Sequence, residues 1–113
     1  MQSDDYLLIR PEVERRRYRR VKLVTQVHCD AMGRNDVMVT RDISQGGMFI
    51  NVKSPLPLAS ELSLTFRTSP TEPPITCRAR VKFSQVNLGM GIEFIDLDSE
   101  AQQTLQKFVD EVA

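Results

Sequence analysis

The chain has 113 residues, and its 15 basic and 15 acidic side chains give a formal net charge of zero. A chain of this size folds as one domain and buries about two-thirds of its unfolded surface, so it needs no metal or disulfide to hold a core. The hydrophobic fraction of 41% excludes a disordered chain, and the balanced charge argues against a protein that coats nucleic acid or membranes. Any anion binding must be confined to one patch.

The first residues show no export signal. Met1 to Pro11 carry Ser3-Asp4-Asp5 where a signal peptide has basic residues followed by an apolar core. No apolar run approaches the roughly 20 residues of a membrane span. The two cysteines, Cys29 and Cys77, show no disulfide-framework spacing. We therefore expect a cytoplasmic protein with reduced thiols and no membrane insertion.

A cationic run follows, in which five of the six residues from Arg15 to Arg20 are arginine. Guanidinium groups repel one another, and each presents a rigid fork of donors. That fork suits phosphate oxygens and the O6/N7 edge of guanine. The run is therefore interpreted as half of a site for an anionic ligand.

From Val21 to Phe94, apolar and polar side chains alternate with the two-residue period of half-buried strands. Turns and loops rich in glycine or proline interrupt the alternation. The adjacent Gly46 and Gly47 predict a turn, because glycine permits a positive φ that strains other residues. The apolar side of the alternation comprises Val21, Leu23, Val27, Cys29, Val37, Val39, Met48, Ile50, Val52, Leu62, Leu64, Phe66, Ile75, Cys77, Ala79, Val81, Phe83, Met90, Ile92 and Phe94.

After Asp96 the period becomes helical, and Ser99 is predicted to cap the helix together with Gln102. Strands joined by short turns and followed by one amphipathic helix predict a mainly β domain, either a small antiparallel barrel or a sandwich with the helix against it. The apolar face of the helix is predicted to comprise Ala101, Leu105, Phe108, Val109 and Val112.

The segment Asp42 to Gly47 is the second candidate half-site. Asp42 and Ser44 are two residues apart, so on a strand they would point to the same side. An aspartate can accept from N1 and N2 of guanine, a serine can donate to a phosphate or a base, and Gly47 would let a flat ring approach. Alone, D-x-S-x-x-G also describes an ordinary turn, because such turns precede glycines in many β-rich proteins.

Together, the R-x-x-x-R of Arg16 to Arg20 and the D-x-S-x-x-G of Asp42 to Gly47 resemble the PilZ domain, a bacterial receptor module for the second messenger cyclic di-GMP. The resemblance runs from about Glu14 to Phe94 and includes the ending Gly89-Met90-Gly91-Ile92-Glu93-Phe94. It implies a six-stranded antiparallel β-barrel with a C-terminal α-helix. The implied organisation is an N-terminal extension (1–12) and a PilZ domain (13–113), which divides into an arginine loop that wraps the ligand (13–20), the barrel (21–96) and the helix (97–113).

The resemblance also implies a ligand site. Arg16 and Arg20 match the first motif, and Asp42, Ser44 and Gly47 match the second. In the family, an arginine at the position of Arg15 accompanies the binding of two intercalated ligand molecules. Two interpretations of Arg17 stay open: its side chain contacts a phosphate of the ligand, or it stays in solvent. The expected cyclic di-GMP site is Arg15, Arg16, Arg17, Arg20, Asp42, Ser44 and Gly47, with no cofactor and no metal.

Other chemistry-bearing residues have structural interpretations. Phe83 falls where some relatives carry an aromatic that stacks on guanine, but its position on the apolar side of a strand predicts core packing. His28 has no further metal ligands at suitable spacing. Cys29 and Cys77 have no base partner and are interpreted as small core residues. We therefore predict that the protein is not an enzyme.

The leading functional hypothesis is a cyclic di-GMP receptor that changes conformation on binding and signals to a partner protein. The resemblance implies a bacterial role in motility, surface polysaccharide or biofilm control, and we expect a monomer or weak dimer. Two alternatives stay open: an adaptor that works through protein contacts without the ligand, and a barrel whose basic arm binds nucleic acid. Zero net charge and few aromatics suited to base stacking argue against the second.

Overall fold

The computed structural model describes residues 19–112, in which the alternating segments form strands and the last segment forms a helix. The elements of this part of the chain are β1 (Val21–Lys22), β2 (Gln26–Ala31), β3 (Arg34–Ile43), β4 (Gly47–Asn51), β5 (Glu61–Phe66), β6 (Ile75–Gln85), β7 (Gly89–Phe94) and α1 (Ser99–Val112).

Six of these strands close into an antiparallel barrel. The hydrogen-bonded order β3-β2-β5-β6-β7-β4 returns to β3 because β4 also pairs with β3. The short β1 is an additional strand that pairs with the end of β3. Closure leaves no long sheet edge exposed and excludes the sandwich alternative. The predicted six-stranded barrel with a C-terminal helix is confirmed.

The barrel interior and the apolar face of α1 form one core. Ile43, Ile50, Leu64 and Met90 are fully buried inside the barrel, and Leu105 is the fully buried side chain of the helix. Ala101 and Val109 lie in the same cluster, as predicted, but Val112 is exposed. The helix thus covers part of the core that the strands alone would leave open.

The predicted first strand is divided at residues 23–25 into β1 and β2. Thr40 of β3 fills the gap: its Oγ1 donates to the carbonyl of Leu23 at 2.6 Å and accepts from the Thr25 amide at 3.2 Å. Thr40 is fully buried, so these bonds satisfy polar groups that water cannot reach. Together with the backbone bonds from the Leu23 amide to Arg41 and from the Thr40 amide to Thr25, this side chain lets β1 and β2 share one neighbour.

The prediction that Val37 and Val39 lie on the core side is wrong, because both are exposed. In the β2–β3 hairpin, Val27 opposes Met38, and Val37 and Val39 oppose the exposed residues of β2. Directly opposed residues share one face of a sheet, so burial of Val27 turns Met38 inward and the two valines outward. The register of the hairpin decides which set is buried.

The prediction that Phe83 packs in the core is also wrong. The register of β6 against β7 shifts between Val81 and Phe83, which leaves Lys82 as an extra residue. A one-residue insertion exchanges the two faces of a strand. Phe83 therefore lies on the outer surface of the barrel, with 44% of its surface exposed.

Helix α1 is capped one residue earlier than predicted. The carboxylate of Asp98, rather than Ser99, accepts a hydrogen bond from the Ala101 amide at 2.8 Å. This satisfies one of the free amides of the first turn, and the negative charge also suits the helix dipole. Within residues 19–112, no helix is both long enough and apolar enough to cross a membrane.

Cys29 and Cys77 provide a chemical test of the barrel. Both thiols are free and buried. Burial raises the pKa of Cys29 to about 11 and that of Cys77 to about 12, and the carboxylates of Asp36 and Asp96 add to the respective increases. The reactive thiolate is therefore scarce at pH 8.

We predict that iodoacetamide labels both cysteines slowly at pH 8 in the native protein and rapidly in concentrated urea, since unfolding restores ordinary thiol pKa values. Mass spectrometry counts the labels over time. A model peptide containing cysteine is the control for reagent activity. Rapid native labelling of either thiol would contradict the buried positions described here.

Candidate functional site

The structure brings the two sequence motifs into contact. β1 runs antiparallel to β3 with Val21 opposite Ile43 and Lys22 opposite Asp42, so Arg20 lies beside the end of β3. The Nη1 atom of Arg20 donates to the Oδ1 atom of Asp42 at 2.8 Å. The two side chains are 34% and 25% exposed, which leaves both accessible to a ligand. Two residues far apart in the sequence thus form one surface site.

Of the predicted arginines, Arg20 is the one that lies within residues 19–112. Arg15, Arg16 and Arg17 lie outside the described residues, and so do the N-terminal extension and most of the predicted arginine loop. Their contacts with a ligand stay a prediction. The residues described below are therefore the part of the candidate site that lies on the barrel and at Arg20.

Ser44 shapes the turn that follows Asp42. Its amide donates to the carbonyl of Gly47 at 2.8 Å, and its Oγ accepts from the amide of Gly46 at 3.1 Å. The side chain is 5% exposed. The hydroxyl is thus used within the turn, and its role in the structure is to fix the backbone at the end of β3.

Gly47 is required for a reason that differs from the predicted one. A Cβ atom at this position would lie 1.9 Å from the carbonyl oxygen of Ile92. The glycine therefore lets β4 pair closely with β7, where Gly47 opposes Glu93. Among the described glycines, positive φ occurs at Gly33 and Gly89, so neither Gly46 nor Gly47 adopts the positive φ that glycine permits.

Arg41 is a site residue that sequence reasoning missed. The register between β3 and β4 shifts between Thr40 and Asp42, which leaves Arg41 as the extra residue of a bulge. Its guanidinium lies over the ring of Phe49, with Cζ 4.0 Å from the ring centroid. Its Nε is 3.6 Å from Oδ2 of Asp42, so two guanidinium groups flank that carboxylate. The sequence signal that could have identified Arg41 was its position directly before D-x-S-x-x-G. The alternation of apolar and polar residues did not reveal the bulge that turns its side chain toward the site.

An outer row of residues connects Asp42 to the exposed aromatic side chains. Asp42 opposes Phe49, Phe49 opposes Gly91, and Gly91 opposes Phe83 across four neighbouring strands. The ring centroids of Phe49 and Phe83 are 6.1 Å apart, with the planes tilted by 42°. Gly91 leaves space between them, since it carries no side chain. The row places flat apolar groups beside a carboxylate and two arginines.

The other side of the turn faces the helix. A cleft of about 360 Å³ lies between the turn and α1, and Gln45, Gly46, Glu93, Phe94, Leu97 and Leu105 are among its lining residues. The side-chain amide of Gln45 also hydrogen-bonds Gln106 of the helix. The turn therefore contacts the candidate site on one side and α1 on the other.

The arrangement is suited to recognition. Guanidinium groups bind phosphate and the acceptor edge of guanine, a carboxylate accepts from a donor edge, and aromatic rings stack on bases. Within the described part of the chain, no three His, Cys, Asp or Glu side chains converge as a metal site requires. The site thus has the chemistry of a nucleotide-binding surface.

Comparisons with known proteins agree with this description. A family model described as PilZ domain matches residues 14–111. An inhibitor of motility from Bacillus subtilis (MotI/DgrA) has a similar structure, with 20% identity, a TM-score of 0.71, and coverage of 87% of this chain and 51% of its own. YcgR from Escherichia coli in complex with c-di-GMP is 15% identical with a TM-score of 0.72, covering 87% and 46% respectively. The chain thus spans about half the length of each of these two proteins.

The isolated PilZ domain of YcgR with c-di-GMP is 14% identical to this chain and has a TM-score of 0.66. Here the match covers 88% of this chain and 92% of the other. A comparison with curated protein sequences gave no significant match. At these identities the structural likeness shows the fold.

We predict that Gly47→Ala lowers the free energy of unfolding by about 2 kcal/mol or more, because a backbone carbonyl occupies the space that the methyl group needs. Gly91→Ala is the matched control, since a Cβ there would meet its nearest neighbour at an ordinary 3.5 Å. Urea unfolding monitored by circular dichroism measures both. Equal stability of the two variants would contradict the close β4–β7 approach.

Proposed function

This chain belongs to the PilZ domain family, and we propose on that premise that it is a receptor for cyclic di-GMP (c-di-GMP). Binding changes its conformation, and the changed surface acts on a partner protein. The observation that carries the proposal is the contact between Arg20 and Asp42, which unites the two family motifs in one site. YcgR, a protein with the same fold, has structures with c-di-GMP both as a longer chain and as its PilZ domain, which supports this choice of ligand.

The proposed roles follow from the chemistry of the ligand, which offers two phosphates and two guanines. Arg16 and Arg20 bind phosphate oxygens and the O6/N7 edge of guanine, and Arg15 and Arg17 add to the cationic surface. Asp42 accepts from N1 and N2 of a guanine. Ser44 and Gly47 complete the proposed site by fixing the turn that presents Asp42.

Binding must replace the contact between Arg20 and Asp42. An ion pair as exposed as this one contributes about 0–1 kcal/mol. A good bidentate contact between arginine and guanine is worth about 1–3 kcal/mol. The ligand therefore competes successfully for both side chains, and the ion pair holds them near each other until it arrives.

Several arginines are needed for useful affinity. Ordering a segment costs about 1–2 kcal/mol for each residue fixed. Micromolar binding corresponds to about −8 kcal/mol overall. One arginine contact cannot supply both amounts, which explains why the arginines between residues 15 and 20 are grouped so densely.

Phe83 becomes a candidate for base stacking in this proposal. Its exposed ring lies in the same outer row as Asp42, with Phe49 and Gly91 between them. Stacking of a base on an aromatic side chain is worth about 1–3 kcal/mol. The outward position supports the role that some family members give to an aromatic residue here.

The biological setting we propose is bacterial motility or biofilm control. The similar protein from Bacillus subtilis is named an inhibitor of motility. In this proposal residues 1–12 are an extension, 13–20 the arginine loop, 21–96 the barrel and 97–113 the helix. The protein acts in the cytoplasm, without catalysis, as a monomer or weak dimer that contacts a protein effector.

We predict that Arg20→Ala or Asp42→Ala abolishes or strongly weakens c-di-GMP binding and leaves the fold intact, because both residues lie outside the core. Asp42→Ala should weaken binding of c-di-GMP more than binding of cyclic di-AMP, which lacks the guanine donor edge. Calorimetric titration measures affinity, and circular dichroism checks folding.

Arg34→Ala is the control, since Arg34 also forms an exposed ion pair, 3.1 Å from Asp36 at the other end of β3. Near-native affinity of the Arg20 and Asp42 variants would contradict the proposed site.

We predict that the wild-type protein binds two c-di-GMP molecules per chain and that Arg15→Leu binds one, because an arginine before the first motif supports the intercalated pair. Titration calorimetry gives the stoichiometry, and native mass spectrometry of the complex checks it independently. A wild-type complex with one ligand molecule, or an unchanged count in Arg15→Leu, would refute the role of Arg15.

A further inference from the structure

Arg41 belongs to neither motif, yet the fold holds its guanidinium at the centre of the candidate site. The bulge in β3 turns the side chain outward, and the group lies 4.0 Å above the ring of Phe49. The side chain is 50% exposed. An exposed arginine on a strand ordinarily samples many conformations in solvent, whereas here a cation–π contact with an aromatic ring favours one position of the guanidinium.

Phe49 is itself fixed, which makes it a suitable support. Its side chain is only 8% exposed although it lies on the outer face of the barrel. A Cβ atom at Gly89 would lie 2.8 Å from Cε2 of Phe49, and a Cβ at Gly91 would lie 3.8 Å from its Cδ1. The ring therefore rests on the backbone of β7 at two glycines. Arg41, Phe49 and this strand form three consecutive layers.

The charges beside Arg41 place it next to the proposed guanine position. Asp42 has its Oδ1 atom 2.8 Å from Arg20 and its Oδ2 atom 3.6 Å from Arg41. When Arg20 turns to the ligand, Arg41 still balances the charge of this carboxylate. A base that donates N1 and N2 hydrogens to Asp42 lies within reach of the plane of Arg41.

We propose, in an inference that rests on the proposed c-di-GMP function, that Arg41 is a base-stacking residue for the guanine that Asp42 binds. The planar guanidinium stacks on the base, and Phe49 is the positioning residue that holds it flat. The interaction depends on the shape of the group more than on its charge. Lysine, whose ammonium group is a point charge without a plane, cannot replace it.

The test is calorimetric titration with c-di-GMP of the wild-type chain, Arg41→Ala, Arg41→Lys and Arg34→Ala at one fixed salt concentration. We expect Arg41→Ala and Arg41→Lys to bind about tenfold more weakly or worse, the scale of one lost stacking contact. Arg34→Ala removes an exposed arginine from the same strand and should bind like the wild type. An affinity of Arg41→Lys within about twofold of wild type would overturn the stacking role, because charge alone would then suffice.

Phe49 is tested through Arg41 by a double-mutant cycle. Phe49→Leu keeps apolar volume but removes the flat support, so we expect it to weaken binding, and the combination with Arg41→Ala should add little to Arg41→Ala alone. Thermal unfolding of each variant shows whether the barrel persists. Additive losses would overturn the positioning role of Phe49.

The outcomes also separate this inference from the function on which it rests. If the wild-type chain fails to bind c-di-GMP, both are overturned. If it binds, and the Arg20 and Asp42 variants lose binding while the Arg41 variants do not, the receptor function stands and the stacking role is refuted. Losses in the Arg20, Asp42, Arg41 and Phe49 variants, with Arg34→Ala binding like the wild type, support both.

Discussion

The position of β3 in the barrel is the constraint on which the candidate site depends. This strand pairs with β1 and β2 along one edge and with β4 along the other. Two neighbours can share one edge because the buried hydroxyl of Thr40 satisfies the backbone where β1 gives way to β2. Because β1 pairs with β3, Arg20, the last residue of the arginine run, lies beside Asp42. A stability requirement of the core thereby sets the geometry of the site.

Two register shifts give the outer surface its chemistry. One makes Arg41 the extra residue of β3, and the other turns Phe83 outward from β6. Between them, Phe49 lies against Gly89 and Gly91 of β7, and at Gly89 a larger residue would collide with its ring. Bulges are found where a barrel must redirect a side chain, and here both occur on strands that border the same surface. The barrel thus presents a partly aromatic outer surface next to Arg41 and Asp42.

The residues of the second motif differ in their structural roles. Ser44 and Gly47 hold the turn together through a hydrogen bond and a close strand contact. Asp42 remains accessible and paired with Arg20. The turn continues to α1 through Gln45, so a change at the site has a direct route to the helix.

The sequence by itself determined the mainly β class, the apolar positions of most strands, the helix face around Leu105 and the two motifs, because local periodicity and turn chemistry express these features directly. Alternation also predicted burial of Phe83, Val37 and Val39, and there it was wrong. Strand register depends on the partner strand, so a hairpin register or a single inserted residue reverses faces without any local signal. The pairing of Arg20 with Asp42 and the contact of Arg41 with Phe49 were likewise decided by the tertiary structure. The first depends on how β1 pairs with β3, and the second on the register shift between β3 and β4.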